Sequence, residues 1–196
     1  MRPGRRGELI GGGGHTGGVA AKRSAGILLF RRQGGVGDED GDGRGGGGGG
    51  GGPQVLLGHM GGPFWARRDA AAWSVIKGEY DEDEGPEAAA RREFREELGL
   101  PVPDGTPVPL GEVRQSGGKI VTVWALEGDL DPDAVVPGTF TMEWPRGSGT
   151  LREFPELDRV AWFGLAGAAG RIVKGQRAFL DRLAEHLGVP PPAAPD

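Results

Sequence analysis

The sequence contains no cysteine in 196 residues. That excludes disulfide staples, thiolate zinc sites and cysteine nucleophiles together. Long apolar runs are also missing: the longest useful one, Ala25 to Phe30, falls far short of the roughly 20 residues a membrane helix needs. Met1 to Gly18 carries Arg2, Arg5 and Arg6 with no apolar stretch behind them, so no signal peptide is expected and a soluble, cytoplasmic protein is. Nor is there a cationic excess. Twenty-three Lys and Arg against 28 Asp and Glu leave a formal charge of −5, and no basic stripe is available to follow nucleic-acid phosphates.

What is abundant is glycine. Of its 41 residues, 21 fall within Gly4 to Gly18 and Gly34 to Gly52; these tracts have no G-X-Y period, which excludes collagen. The folding unit is therefore shorter than the chain. We expect a tail over 1–22, a single domain over 23–188 interrupted by a flexible hairpin insertion at 33–53, and a proline-rich tail over 189–196. Loop closure entropy grows only logarithmically with length, so such an insertion is cheap to tolerate.

Acidic charge is concentrated too. Gly78 to Leu100 holds nine acids against three arginines, while the rest of the chain is nearly neutral. A local excess of this kind calls for a cation.

Periodicity predicts strands at Ser24–Arg32, Gln54–His59, Trp73–Lys77, Val108–Gln115, Lys119–Glu127 and Asp158–Phe163. Met60–Ala72 and Gly128–Thr150 read as loops. Pro86–Leu98 reads as a helix, with proline in the first turn and Gly99 at the left-handed cap position. A short helix is expected over Leu165–Val173. An amphipathic one follows over Gln176–Leu187, with Phe179, Leu180, Leu183 and Leu187 on one face. The result is an α/β sandwich with a mixed sheet and helices on both sides.

On the Pro86–Leu98 helix, Glu93, Glu96 and Glu97 stand at i, i+3 and i+4, hence on one side. Like charges at this spacing cost a few tenths of a kcal/mol per pair on an exposed helix. Mg²⁺ or Mn²⁺, which take carboxylate and water oxygens, would remove that repulsion. Ala90, Phe94 and Leu98 form a second stripe that would anchor the helix on the sheet.

The stretch GEYDEDEGPEAAARREFREELGL matches a pattern at every specified position: Gly78, Glu84, Arg92, Glu93, an apolar Phe94, Glu96, Glu97, Gly99 and an aliphatic Leu100. With seven fixed types at about 1 in 15 each, chance agreement at one start is on the order of 10⁻⁸. This pattern is the Nudix box, and the chain resembles a Nudix hydrolase. The resemblance implies the Nudix α/β/α sandwich, with the box helix and a C-terminal helix on opposite faces. It also implies a metal site made of Glu93, Glu97, Glu96 and the Gly78 carbonyl, with Arg92 orienting Glu93 and Glu84 bracing the loop. The implied reaction is hydrolysis of a nucleoside diphosphate linked to another group. The general base lies outside the box in many members; Glu143, Glu153 and Glu156 are candidates, with Glu153 or Glu156 favoured.

The lead-in WSVIKG is similar to the W-x-x-P-K-G of Nudix hydrolases that act on diadenosine and diphosphoinositol polyphosphates, with Ile76 in place of the proline. Together with HMGGPFW and TMEWPRG it resembles a bacterial group of nucleotide pyrophosphohydrolases close to the asymmetrical diadenosine tetraphosphate hydrolases. Lys77 would supply a point charge for a phosphate. Phe64 and Trp65 are candidates to stack on an adenine, and Arg67 and Arg68 to reach distal phosphates. The expected substrate is diadenosine tetraphosphate, cut to ATP and AMP. Nucleoside triphosphates, ADP-ribose and diphosphoinositol polyphosphates are alternatives, as is a non-catalytic ligand-binding module. No nucleic-acid or membrane partner is expected, and the chain would be a monomer or homodimer.

Overall fold

The structure is a computed structural model that describes residues 21–32 and 51–193. Most of the expected N-terminal tail, most of the glycine-rich insertion and the last three residues lie outside the described residues.

Nine strands form among the described residues: β1 (Arg23–Arg31), β2 (Gln54–Met60), β3 (Trp73–Ser74), β4 (Ile76–Glu79), β5 (Val108–Arg114), β6 (Ile120–Glu127), β7 (Thr139–Glu143), β8 (Leu151–Pro155) and β9 (Leu157–Gly164). Three α-helices accompany them: α1 (Pro86–Leu98), α2 (Leu165–Arg171) and α3 (Arg177–Leu187). Seven strands make one sheet in the order β3-β2-β1-β6-β5, with β4 also paired to β1 and β9 to β2. The β1–β6 pair is parallel and its neighbours are antiparallel, so the sheet is mixed.

Side-chain alternation on β1 builds two cores. Ala25, Ile27 and Leu29 face α1 and meet Ala89, Ala90, Phe94 and Leu98, whereas Leu28 and Phe30 face α2 and α3 and meet Ala168, Phe179, Leu180 and Leu183. The box helix and the C-terminal helix therefore cover opposite faces, as expected. Phe94 and Phe179, both fully buried, anchor the two sides; truncating either to alanine costs about 3–5 kcal/mol. Among the described residues no helix is long and apolar enough to cross a membrane.

Helix α1 starts at Pro86 and ends at Gly99, whose φ of 65° is the left-handed cap that glycine adopts without strain. The turn Gln115–Lys119 closes the β5–β6 hairpin with Gly117 and Gly118 at φ 90° and 83°.

Two expectations need correction. The single strand over Trp73–Lys77 is divided at Val75 into β3 and β4. The buried amide of Gln176 makes this possible: its Oε1 accepts from the Val75 N–H at 2.9 Å and its Nε2 donates to the Ser74 hydroxyl at 3.1 Å. The connection Gly128–Thr150 is not structureless either. It contains a 3₁₀ turn at Pro132–Ala134 and strand β7, which pairs with β8 in a separate two-stranded arm, Phe140 opposite Phe154 and Glu143 opposite Leu151.

Candidate active site

Strand β4 and helix α1 meet at Gly78. Gly78 lies opposite Ala25 on β1, and therefore on the face that α1 covers. A Cβ there would collide with the Glu93 carboxyl group, so glycine is what admits the carboxylate. The neighbouring Lys77 N–H donates to Glu97 Oε2 at 3.0 Å. Glu93 and Glu97 are thus both drawn against two adjacent residues of β4.

Arg92 organises the rest. Its Nε and Nη2 grip both oxygens of Glu84 at 2.9 and 2.7 Å, and its Nη1 donates to Glu93 at 2.6 Å and to Glu96 at 2.9 Å. Its Nη2 also donates to the Glu79 carbonyl at 3.3 Å. The fork geometry of guanidinium lets one side chain serve several carboxylates. These contacts hold the guanidinium in its charged form and pull Glu84 below the usual carboxylate range.

The three glutamates clustered on one side of α1, Glu93, Glu96 and Glu97, are not equivalent. The Glu93 side chain is 13% exposed and that of Glu96 is 58% exposed; Glu96 turns outward onto Arg92. Burial raises the Glu93 carboxyl above its ordinary value, opposed by Arg92 and reinforced by Glu96 and Glu156. Burial also pushes Glu97 up to about 7, opposed by Lys77 and reinforced by Glu93 and Glu156. Two half-buried carboxylates that resist ionisation together are a donor set suited to a hard divalent cation. Among the described residues no three acidic or histidine side chains close around a common point.

Of the three candidate bases, Glu156 is the one beside the box. A Cβ placed on Gly138 would lie 2.9 Å from Glu156 Oε2 and 3.6 Å from the Glu96 carbonyl oxygen, and the Glu156 charge acts on both Glu93 and Glu97. Glu153 is exposed on β8. Glu143, on β7, accepts from the Gly149 N–H in the arm's own turn.

Lys77 is half-buried, and burial lowers its ammonium's proton affinity against the pull of Glu97. It pairs with Gly26, where a Cβ would sit 2.5 Å from that of Lys77. Phe64 is 58% exposed and meets Trp144 of the arm edge-on, ring centroids 5.1 Å apart. Sequence reasoning missed Trp144, because its partner is 80 residues away and no local period marks the pair. Trp65 instead packs against the α2–α3 core with the Arg68 guanidinium 5.7 Å from its ring centre, so of the two candidate stacking rings only Phe64 is exposed. Arg67 is exposed on the same loop. His59 is fully buried, and His186 is exposed on α3. A cavity of about 370 Å³ opens beside the box, lined in part by Lys22, Arg23, Glu79, Tyr80, Glu84 and Arg92.

The fold is shared with solved structures, among them the following three. The Ap4A hydrolase of C. elegans, in a binary complex, superposes with a TM-score of 0.55 at 18% identity, over 84% of this chain and 98% of its own. The NUDIX domain of Shewanella oneidensis NrtR, complexed with ADP ribose, gives 0.52 at 16% identity over 86% and 90%. The Nudix hydrolase RenU of M. smegmatis gives 0.50 at 23% identity over 88% and 89%. No curated protein matches the sequence significantly. The family model of the NUDIX domain matches residues 46–183, well over half of the chain: this protein belongs to the Nudix family.

Proposed function

We propose that this Nudix hydrolase cleaves the pyrophosphate link of a nucleoside diphosphate joined to a further group, with diadenosine tetraphosphate, cut to ATP and AMP, as its substrate. The observation that carries the reading is the half-buried pair Glu93 and Glu97, set against Gly78 and the Lys77 N–H with Glu156 alongside.

The pair fits Mg²⁺ or Mn²⁺, with Glu93 and Glu97 as principal ligands and Glu96 and the Gly78 carbonyl as further ones. Bound there, the ion supplies charge neutralisation to the bridging phosphates and polarises phosphorus. The chain's own residues do the rest. Arg92 fixes the rotamer of Glu93 and ties it to Glu84. The Lys77 N–H fixes Glu97. Glu156 accepts the proton of the attacking water, whose oxygen forms the new bond to phosphorus as the P–O–P bond breaks and the departing phosphate leaves with the electron pair. Lys77 and Arg67 supply positive charge to the phosphate chain, and Phe64 offers its exposed ring to a base.

The fold shared with an Ap4A hydrolase and the WSVIKG lead-in support the dinucleotide substrate. ADP-ribose is the second reading, favoured by the NrtR domain seen with that ligand. A panel of pyrophosphate nucleotides, assayed with Mg²⁺ or with EDTA and followed by product identification, separates them. ATP plus AMP from diadenosine tetraphosphate supports the first reading; AMP plus ribose 5-phosphate from ADP-ribose, with the dinucleotide untouched, replaces it. Turnover unchanged in EDTA would overturn the metal assignment.

A further inference from the structure

His59 lies at the end of β2, fully buried, and the proposed mechanism makes no use of it. Its Nδ1 is 2.7 Å from Asp158 Oδ1 and its Nε2 is 2.6 Å from the carbonyl oxygen of Arg68. An ionised carboxylate and a backbone carbonyl only accept hydrogen bonds, and a neutral imidazole has one N–H to give. Both short contacts are satisfied together when the ring carries a proton on each nitrogen, with Asp158 as its countercharge. The other charged groups around it are paired among themselves: Asp69 contacts Arg159 at 3.7 Å and Arg171 at 3.1 Å, and accepts from the Trp73 indole at 2.9 Å.

The two partners belong to different parts of the site. In the β2–β9 ladder His59 lies opposite Arg159 and Met60 opposite Leu157, which leaves Asp158 as the extra residue of a bulge. A bulge re-aims the side chains that flank it, and Glu156 stands two residues before Asp158. Arg68 belongs to the loop between β2 and β3, which also carries Phe64 and Arg67. That loop is fastened to the same segment by Gly61 N–H donating to the Glu156 carbonyl at 2.9 Å.

We propose that His59 is a positioning residue: a ring donating from both nitrogens that pins the Asp158 bulge, and with it the aim of Glu156, while holding the Phe64–Arg67 loop by its other nitrogen. The inference rests on the proposed hydrolase function for the roles of Glu156 and Phe64, but its hydrogen-bond content does not.

Heteronuclear NMR of the full chain, which has only three histidines, should show one ring with two slowly exchanging N–H protons. Two variants then split the two contacts. His59→Asn keeps a donor near the Nδ1 position and releases the loop, so KM should rise about tenfold or more while kcat stays within about twofold. His59→Gln keeps a donor near the Nε2 position and releases the bulge, so kcat should fall by up to about 100-fold with KM little changed, the scale of loss that small misplacements of reacting groups produce. Should either variant fail to fold, Asp158→Asn at the partly exposed partner should remove one ring proton and lower kcat. A wild-type ring with a single N–H overturns the inference whatever the substrate proves to be. So do variants that melt earlier yet keep wild-type kcat and KM well below their melting temperatures. If no nucleotide in the panel is hydrolysed, the proposed function fails while the NMR signature still decides the state of His59.

Discussion

Two charged hubs hold this site, and they are built in opposite ways. Arg92 gathers Glu84, Glu93 and Glu96, partners within eight residues of it along the chain. His59 gathers Asp158, 99 residues away, and the carbonyl of Arg68, across a loop. The first hub is local in sequence: Glu96 lies one helical turn from Arg92, Glu93 is its chain neighbour, and Glu84 stands in the turn just before α1. The second exists only after β9 has paired with β2. Local hubs can be written in a motif; distant ones depend on the sheet.

Removing the carboxylate that stands beside the first hub, Glu97, should have the largest effect. Glu97→Gln is expected to cut turnover by well over 100-fold, beyond the 10–100-fold typical of groups behind the ligands, with a melting temperature in EDTA no lower than the parent's. Wild-type rates in steady-state assays would dismiss Glu97 as a ligand. Next comes Arg92→Lys, which keeps the charge and loses the fork. A 10–100-fold drop in kcat/KM is expected, and a variant as active as the parent would show that the multiple contacts of Arg92 do not matter for catalysis.

Long-range contacts are tested by Gln176→Leu. It leaves the Val75 N–H and the Ser74 hydroxyl without their amide partner, at a cost of about 1–3 kcal/mol in urea unfolding. Full stability would mean the divided strand needs no such brace.

The smallest expected effect is on pH. Glu97 has a folded-state value raised to about 7 from 4.5. Between those values the folded chain holds a proton that the unfolded chain has lost, so this group's contribution to stability falls as pH rises. The metal-free melting temperature should therefore decline from pH 5 to pH 8, and added Mg²⁺ should raise it more at pH 8 than at pH 5. Equal shifts at both pH values would detach Glu97 from ion binding.

Legibility followed the same division. Helix α1 has the predicted bounds, from Pro86 to Leu98, because proline, glycine and an apolar stripe are local signals. The Arg92 contacts were implied by the box and are present. The arm of β7 and β8 was not foreseen. Its strands are five residues each, divided by proline and glycine, and Phe140 and Phe154 find each other only across the hairpin. For the same reason Trp144 and Phe64 were not paired in advance, and nothing in the spacing of Glu143, Glu153 and Glu156 distinguished the one that faces the box. Gln176 carried no sequence signal at all, since a buried amide is recognised by its partners and not by its neighbours in the chain.

The amino-acid order alone determined the alternation that gives two cores, the capped acidic helix and its carboxylate ring around Arg92, because each depends on spacings of a few residues and on backbone stereochemistry. Tertiary structure decided which glutamate outside the helix stands beside it, which aromatic ring stays open to solvent, and how His59 comes to lie between two acceptors. Those outcomes depend on strand register and on a one-residue bulge, and register is set by the packing of the whole sheet.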